Sequence, residues 1–340
     1  MIAAVGRSPA GGSGVALPGY VDLQVNGFGG VDFLTTDAGG YRRAAQALLA
    51  TGVTAFQPTL VTASPQSTLR AIDVAARATR EATVRVLGVH LEGPFISPSM
   101  KGAHDEHWII PPSVPALERL CESEIVTAVT LAPELSGAPD LIRWLVAHRV
   151  LVSLGHTDAD AATAHAAFDL GARSVTHLHN AQRRFAPRDP GVTAVAMTRS
   201  DVTVQLIADL VHLAPETVLV AFAAARDRVA AVTDAVAAAP GSGGESGLGG
   251  RTVLVSDAAR LPDGTLAGSV LSMDTAVRNL IDIGIPWQAA VRSASTVPAR
   301  LLGREDLATL RPGTPADIVV VDEAFTPRAT FVQGEELWSR

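Results

Sequence analysis

Eight short runs rich in valine, leucine and isoleucine recur along the chain, separated by stretches with helical character, and this alternation limits what the chain can fold into. The runs fall at residues 21–25, 53–57, 84–91, 125–131, 150–154, 174–177, 202–207 and 229–233. Helical segments are expected between them, at 41–50, 66–82, 141–147, 159–170 and 215–225. Strands that alternate with helices pair in parallel, because a helical crossover returns the chain to the same end of the sheet. Eight such units form an α/β fold of the (β/α)8 TIM-barrel type. Composition agrees: 47% of residues are hydrophobic but only 4% aromatic, so the core must be aliphatic, as buried parallel strands under Ala-rich helices require. Ser64-Pro65 and Thr157-Asp158 read as helix starts, and Gly52 and Gly171 as helix-ending glycines just before the next strand.

Outside this pattern, residues 1–17 are small and Gly-rich. They are expected to be poorly ordered or to add to a small β subdomain. After the eighth run, 240–250 reads as a Gly/Ser-rich loop, Asp263-Gly264 as a hairpin turn between 252–256 and 265–268, and 273–283 and 287–302 as helices. The tail alternates again at 317–321 and 329–332, with turn signals at Pro312-Gly313 and Gln333-Gly334. The expected division is therefore an N-terminal segment 1–17, a barrel 18–302, and strands of a reduced, β-rich subdomain within 303–340.

Charge and cysteine content narrow the function classes. A net charge of -7 argues against non-specific nucleic-acid binding. No apolar run approaches the roughly 20 residues that span a bilayer, and the first residues lack the basic start and apolar core of a secretory signal. Cys121 is the sole cysteine, so no intramolecular disulfide can form and a reducing, cytoplasmic setting is expected.

The chemistry sits where the runs end. Glu92 follows the third, in His90-Leu91-Glu92-Gly93-Pro94; His156 follows the fifth, in Gly155-His156-Thr157; His177 closes the sixth; Asp234 follows the eighth, in Val232-Thr233-Asp234-Ala235. Taken singly, each is more often a loop residue or a helix cap than a functional group. Carboxyl ends of barrel strands, however, collect catalytic groups, and four together favour function. His156 and His177 are 21 residues apart, about one βα unit, which places them on neighbouring strands. One carboxylate and two imidazoles leave a coordination position open, as in catalytic zinc or iron(II) sites. Asp234 is placed to take a proton from water and return it to a leaving amine. His90 shares the face of Glu92 and reads as a packed, hydrogen-bonded core histidine. His148 and His165 fall on helices and read as solvated, His107 has no clear role, and Cys121 reads as a small buried residue.

Further motifs carry a resemblance. Pro18-Gly19-Tyr20-Val21-Asp22-Leu23-Gln24-Val25-Asn26-Gly27 opens the barrel as in the amidohydrolase superfamily. His90-Leu91-Glu92-Gly93-Pro94, Lys101-Gly102-Ala103-His104, Gly155-His156-Thr157, His177-Leu178-His179-Asn180-Ala181, Arg188-Asp189-Pro190-Gly191, Ala208-Asp209-Leu210-Val211-His212 and Leu266-Ala267-Gly268-Ser269 follow in order. Over residues 18–334 the chain resembles the N-acetylglucosamine-6-phosphate deacetylases. The resemblance implies hydrolysis of N-acetyl-D-glucosamine 6-phosphate to D-glucosamine 6-phosphate and acetate. Glu92, His156 and His177 would bind one divalent metal ion per subunit, zinc by preference and iron(II) as the alternative. Asp234 would be the general acid/base, and His104 would help hold the acetyl carbonyl and the developing oxyanion. Asn180 and Ala181 would contact the sugar phosphate, His212 the sugar, and Arg188 would clamp the phosphate across a homodimer interface. Arg183-Arg184 reads as a solvated pair.

The departures are informative. Gln24-Val25-Asn26 stands where many amidohydrolases carry His-x-His, and Lys101 is the only lysine, which excludes a carboxylated-lysine bridge on the barrel strands. Both favour a single metal. His179 stands where an aromatic is common and Gln182 where an apolar residue is common. Only 17 residues precede Pro18, so the small subdomain is expected to be reduced to the tail strands. Two other readings compete: a mononuclear amidohydrolase for a different N-acetyl amino-sugar phosphate or an N-acyl amino acid, and a non-catalytic sugar-phosphate-binding protein.

Overall fold

The computed structural model describes residues 1–2, 14–81, 84–241 and 243–340. Expectations for 3–13, and the final residue of the helix expected at 66–82, lie outside the described residues. Eight strands form the barrel: β1 (Tyr20–Val25), β2 (Val53–Val61), β3 (Val89–Glu92), β4 (Val126–Leu131), β5 (Leu151–Leu154), β6 (Ser174–Val175), β7 (Thr203–Ile207) and β8 (Val229–Val232). Each pairs in parallel with the next in sequence order. The run expected at 84–91 is split: Arg85–Val86 pairs separately with β2, and the chain breaks at Gly88. Gly88 has φ +88°, and a Cβ there would lie 2.3 Å from Thr127 Oγ1, so only glycine fits.

The barrel closes where β1 meets β8. Asp234 N–H donates to the Gln24 carbonyl at 2.9 Å, Asn26 N–H to the Ala235 carbonyl at 2.9 Å, and the Thr233 hydroxyl to the buried Asp22 carboxylate at 2.6 Å. This seam brings Gln24 and Asn26 against Asp234. Helices cover the outside, among them Ala38–Leu49, Pro65–Glu81, Ala138–Ala147, Ala161–Asp169 and Pro215–Ala225. Local chemistry starts them: the side chain of Asp37 accepts the Gly40 N–H, and that of Asp160 the Thr163 N–H. The segment expected as one helix at 287–302 is two, Trp287–Ala294 and Thr296–Leu301, because Ser295 leaves helical geometry.

Inside the barrel, a polar layer lies near the site. His90 is buried, with Nδ1 3.1 Å from Thr59 Oγ1 and Nε2 2.7 Å from Thr130 Oγ1; Thr130 continues to Thr176 at 2.7 Å and Thr176 to Ser153 at 2.6 Å. Burial drives the His90 pKa down to about 4, so this imidazole stays neutral.

A second, four-stranded antiparallel sheet joins both chain ends. Val15–Pro18 pairs with Ile318–Val321, followed by Pro327–Val332 and Glu335–Ser339. The N-terminal side thus contributes Val15–Pro18 to the small β subdomain beside the tail strands, one of the two outcomes expected for residues 1–17. Asp317 ties this sheet to the barrel through Arg85 at 2.6 Å. Part of the segment read as a loop at 240–250 is a strand: Gly244–Leu248 pairs with Arg251–Val255 around Gly249-Gly250. Both glycines have positive φ, +58° and +79°, the backbone of a two-residue hairpin turn that matches strand twist. With Ala259–Arg260 this hairpin forms a three-stranded roof with its own apolar cluster of Val236, Leu248, Val253, Ala259, Leu261 and Ala267. Among the described residues, no helix is long and apolar enough to cross a membrane.

Candidate metal centre and active site

Glu92 ends β3, and His156 and His177 follow β5 and β6 by two residues each, so all three side chains reach the same barrel mouth. All are buried. Glu92 Oε1 lies 3.1 Å from His156 Nε2 and 2.9 Å from His177 Nε2, and the two Nε2 atoms are 3.1 Å apart. His156 Nδ1 lies 2.9 Å from the Met100 carbonyl, which can only accept, so Nδ1 carries the hydrogen and the Nε2 lone pair is free. Three metal-donor atoms that converge this tightly could hold a metal ion. Ligands at about 2.0–2.2 Å from a tetrahedral zinc are spaced by roughly 3.3 Å, so the set fits a divalent cation.

Electrostatics agree. Burial opposes ionisation of Glu92, but the closeness of His156 and His177 outweighs burial and holds the carboxyl well below its usual range. Burial pushes His177 down, Glu92 more than offsets it, and the net direction is up.

Asp234 follows β8 at the seam. Its Oδ1 receives Asn26 Nδ2 at 2.7 Å and Gln24 Nε2 at 3.1 Å, and the same Gln24 nitrogen lies 3.1 Å from Glu92 Oε1. Burial first, and then the charge of Glu92, push its pKa up to about 6. His104 sits on the turn after β3. The Thr62 N–H donates to its Nδ1 at 3.2 Å, which places the hydrogen on Nε2. Burial, then the neighbouring His156, drive its pKa down to about 3, so it is a neutral N–H donor. Its ring lies edge-on to His156, with centroids 4.4 Å apart.

A cavity of about 570 Å³ brings together Glu92, His104, His156, His177, Asn180, Ala181, His212 and Asp234. His212 is oriented by Asp209, which accepts its backbone N–H at 2.9 Å and contacts its Nδ1 at 2.7 Å. Arg188 stands apart: it is exposed and does not line the cavity. Arg183 is not a solvated partner of Arg184. Its Nε donates to Asp189 at 2.8 Å and its Nη1 to the Asp158 carbonyl at 3.0 Å, because the loop folds back to bring both acceptors to it. Sequence reasoning missed Met100, Thr62, Arg251 and the service of Gln24 and Asn26 to Asp234. The last was signalled by spacing, since Gln24 and Asn26 alternate on one face of the first strand.

A model of the amidohydrolase family matches residues 15–337. The N-acetylglucosamine-6-phosphate deacetylase of Bos taurus is 38% identical over 347 residues, covering 96% of this chain and 84% of its own. The N-acetylgalactosamine-6-phosphate deacetylase of Escherichia coli O157:H7 is 35% identical, covering 94% and 86%. A solved structure of the Mycobacterium smegmatis N-acetyl-D-glucosamine-6-phosphate deacetylase, a D267A mutant in complex with N-acetyl-D-glucosamine-6-phosphate, superposes with a TM-score of 0.94 at 34% identity, covering 99% of this chain and 92% of that one. With the metal-compatible Glu92/His156/His177 set at the mouth of a parallel barrel, this chain belongs to the amidohydrolase family and, within it, to the N-acetylglucosamine-6-phosphate deacetylases.

Proposed function

We propose that the chain hydrolyses N-acetyl-D-glucosamine 6-phosphate to D-glucosamine 6-phosphate and acetate, in amino-sugar breakdown or recycling in the cytoplasm. The observation that carries this reading is the convergence, on one cavity, of the Glu92/His156/His177 donor set with Asp234 and a neutral imidazole donor. These three residues would hold one zinc or iron(II), which when bound activates water and polarises the amide carbonyl. Asp234 takes the proton of the attacking water on Oδ2, the oxygen that neither Gln24 nor Asn26 engages, and returns it to the departing amine. Gln24 and Asn26 hold Asp234 in place for both transfers. His104 donates its Nε2–H to the oxygen on which charge develops. Asn180, Ala181 and His212, which line the same cavity, hold the sugar phosphate.

Arg188 completes the phosphate site from a second copy of the chain. Three features support this. Arg188 is exposed and outside its own cavity. Phe185 on the same loop is 58% exposed. The helix Pro215–Ala225, which packs on the helix following that loop, exposes Leu219 and Val220. Exposed large apolar groups together with an exposed guanidinium fit a subunit interface.

The test is acetate release from the phosphorylated acetyl sugar before and after chelation. Activity is expected to vanish on chelation and return with zinc or iron(II). Absence of release under every metal would reject this substrate and leave the two other readings, an amidohydrolase for a different N-acyl substrate and a binding protein. A faster rate on N-acetylgalactosamine 6-phosphate would move the assignment to the sugar of the Escherichia coli relative.

A further inference from the structure

We propose that Arg251, on the roof hairpin, is a positioning residue that keeps the Nε2–H of His104 aimed at substrate. The inference rests on the reading of His104 as the donor to the acetyl oxygen. Arg251 Nη1 donates to the Ala103 carbonyl at 2.7 Å. That carbonyl belongs to the peptide unit whose N–H is His104's own, and this N–H donates to the Lys101 carbonyl at 3.0 Å. One peptide plane is therefore held at both ends, while Thr62 holds the ring at Nδ1. Of the three restraints, one comes from Thr62, just past the end of β2, one from the turn itself, and Arg251 alone from the roof hairpin.

The roof end of this restraint is anchored too. Gly250 N–H donates to Asp32 at 3.1 Å. A Cβ on Gly249 would lie 2.4 Å from Val61 Cγ2, so the hairpin tip is seated against the end of β2. Ala103 packs on the roof's apolar cluster. The hairpin, the Ala103 carbonyl and the His104 ring thus form one mechanical unit over the cavity.

Distance makes the restraint matter. His104 Nε2 is 3.8 Å from Glu92 Oε2. A slip of about 1 Å would bring this N–H within hydrogen-bond distance of the carboxylate and withdraw it from the substrate oxygen. Arg251 holds the turn against that slip.

The test is a double-mutant cycle on the metal-loaded protein, with Arg251→Ala, His104→Ala and the pair, measured as steady-state acetate release. His104→Ala is expected to lower kcat by about 10²–10³-fold. Arg251→Ala is expected to lower kcat by about tenfold with KM within about twofold, and Arg251→Lys, which keeps a donor, to restore most of the loss. In the His104→Ala background, adding Arg251→Ala is expected to change kcat by less than about twofold, because its route of action is gone. Arg251 is exposed, so the melting temperature should hold. A full tenfold loss persisting without His104, or a rise confined to KM, would show Arg251 acting on substrate directly and overturn the proposal. A parental rate for Arg251→Ala would overturn it as well. If His104→Ala itself stays within a few-fold of the parent, the reading of His104 fails, and the positioning role falls with it.

Discussion

Asp22 offers a sharp test of how the barrel closes. It is fully buried where the first and last strands meet, and no ion pair reaches it among the described residues. Its carboxylate accepts the Thr233 hydroxyl at 2.6 Å, the Thr233 N–H at 3.2 Å and the Gln24 N–H at 3.3 Å. Burial outweighs these bonds and pushes its pKa up to about 7. In the unfolded chain the value is about 3.9. The folded state therefore holds this proton more tightly. The resulting stabilisation is complete below pH ~4 and lost as pH rises through ~7. Between pH 5.5 and 8.5 the linkage withdraws about 2 kcal/mol. Asp22→Asn keeps the shape and one acceptor but cannot ionise. The stability of the variant relative to the parent should then move in the variant's favour by about 2 kcal/mol across that range, or a few degrees in Tm. Denaturant midpoints of both proteins, metal-loaded, at the two pH values measure it, and titrations of groups that do not interact with Asp22 cancel in the difference. A difference flat to within about 0.5 kcal/mol would mean that Asp22 does not change protonation across this range and would refute the reasoning.

Three further outcomes follow from the site. Asp234→Asn keeps its metal but loses about 10²–10⁴-fold in kcat, since an amide cannot carry the proton; near-parental turnover would remove Asp234 from the chemistry. His156→Ala, which deletes one of three donors, should leave less than one equivalent of metal after gentle dialysis, read by elemental analysis against the parent. Arg188→Ala should raise KM roughly tenfold or more for the phosphorylated sugar and little for the unphosphorylated one; equal effects on both would deny a phosphate contact.

The barrel was legible because aliphatic runs are the only segments that can be buried on both faces of a parallel sheet. What escaped did so for local reasons. Gly88 breaks the run at 84–91 with a positive φ, and Thr127, 39 residues away, fills the space a Cβ there would need. Gly244–Leu248 lacks alternation because most of it is exposed or half-buried, and its glycines suggested a loop. Glu92, His156, His177 and Asp234 could be singled out because imidazoles and carboxylates at strand ends are chemically distinctive. Two of the supports are main-chain atoms, the Met100 carbonyl behind His156 and the Thr62 N–H behind His104, and a backbone atom has no letter in a sequence.

The site's backbone shows why such supports are needed. His156, His177, His179, Ala181 and Asp234 have φ of +48°, +30°, +71°, +48° and +50°. Each left-handed L-residue costs about 1–2 kcal/mol, so a cluster survives only where neighbours over-determine it. Here they do. Thr157 N–H donates to the Ala181 carbonyl at 3.1 Å and Arg183 N–H to the Thr157 carbonyl at 3.0 Å, stitching the His156 turn to the His177 turn. Glu134 accepts the Thr157 hydroxyl at 2.5 Å and the Asp158 N–H at 2.7 Å. Gln182, polar where the resemblance led us to expect an apolar residue, falls into place as one of these braces. Its Nε2 donates to the Thr176 carbonyl at 2.7 Å and its Oε1 accepts the His179 N–H at 2.9 Å, so one amide spans both sides of His177. An apolar side chain of the same size would leave that carbonyl and that N–H unpaired in a buried turn. The departure at Gln182 is thus a matter of holding a strained ligand loop, and the sugar preference has to be sought among the groups that line the cavity, which Gln182 does not.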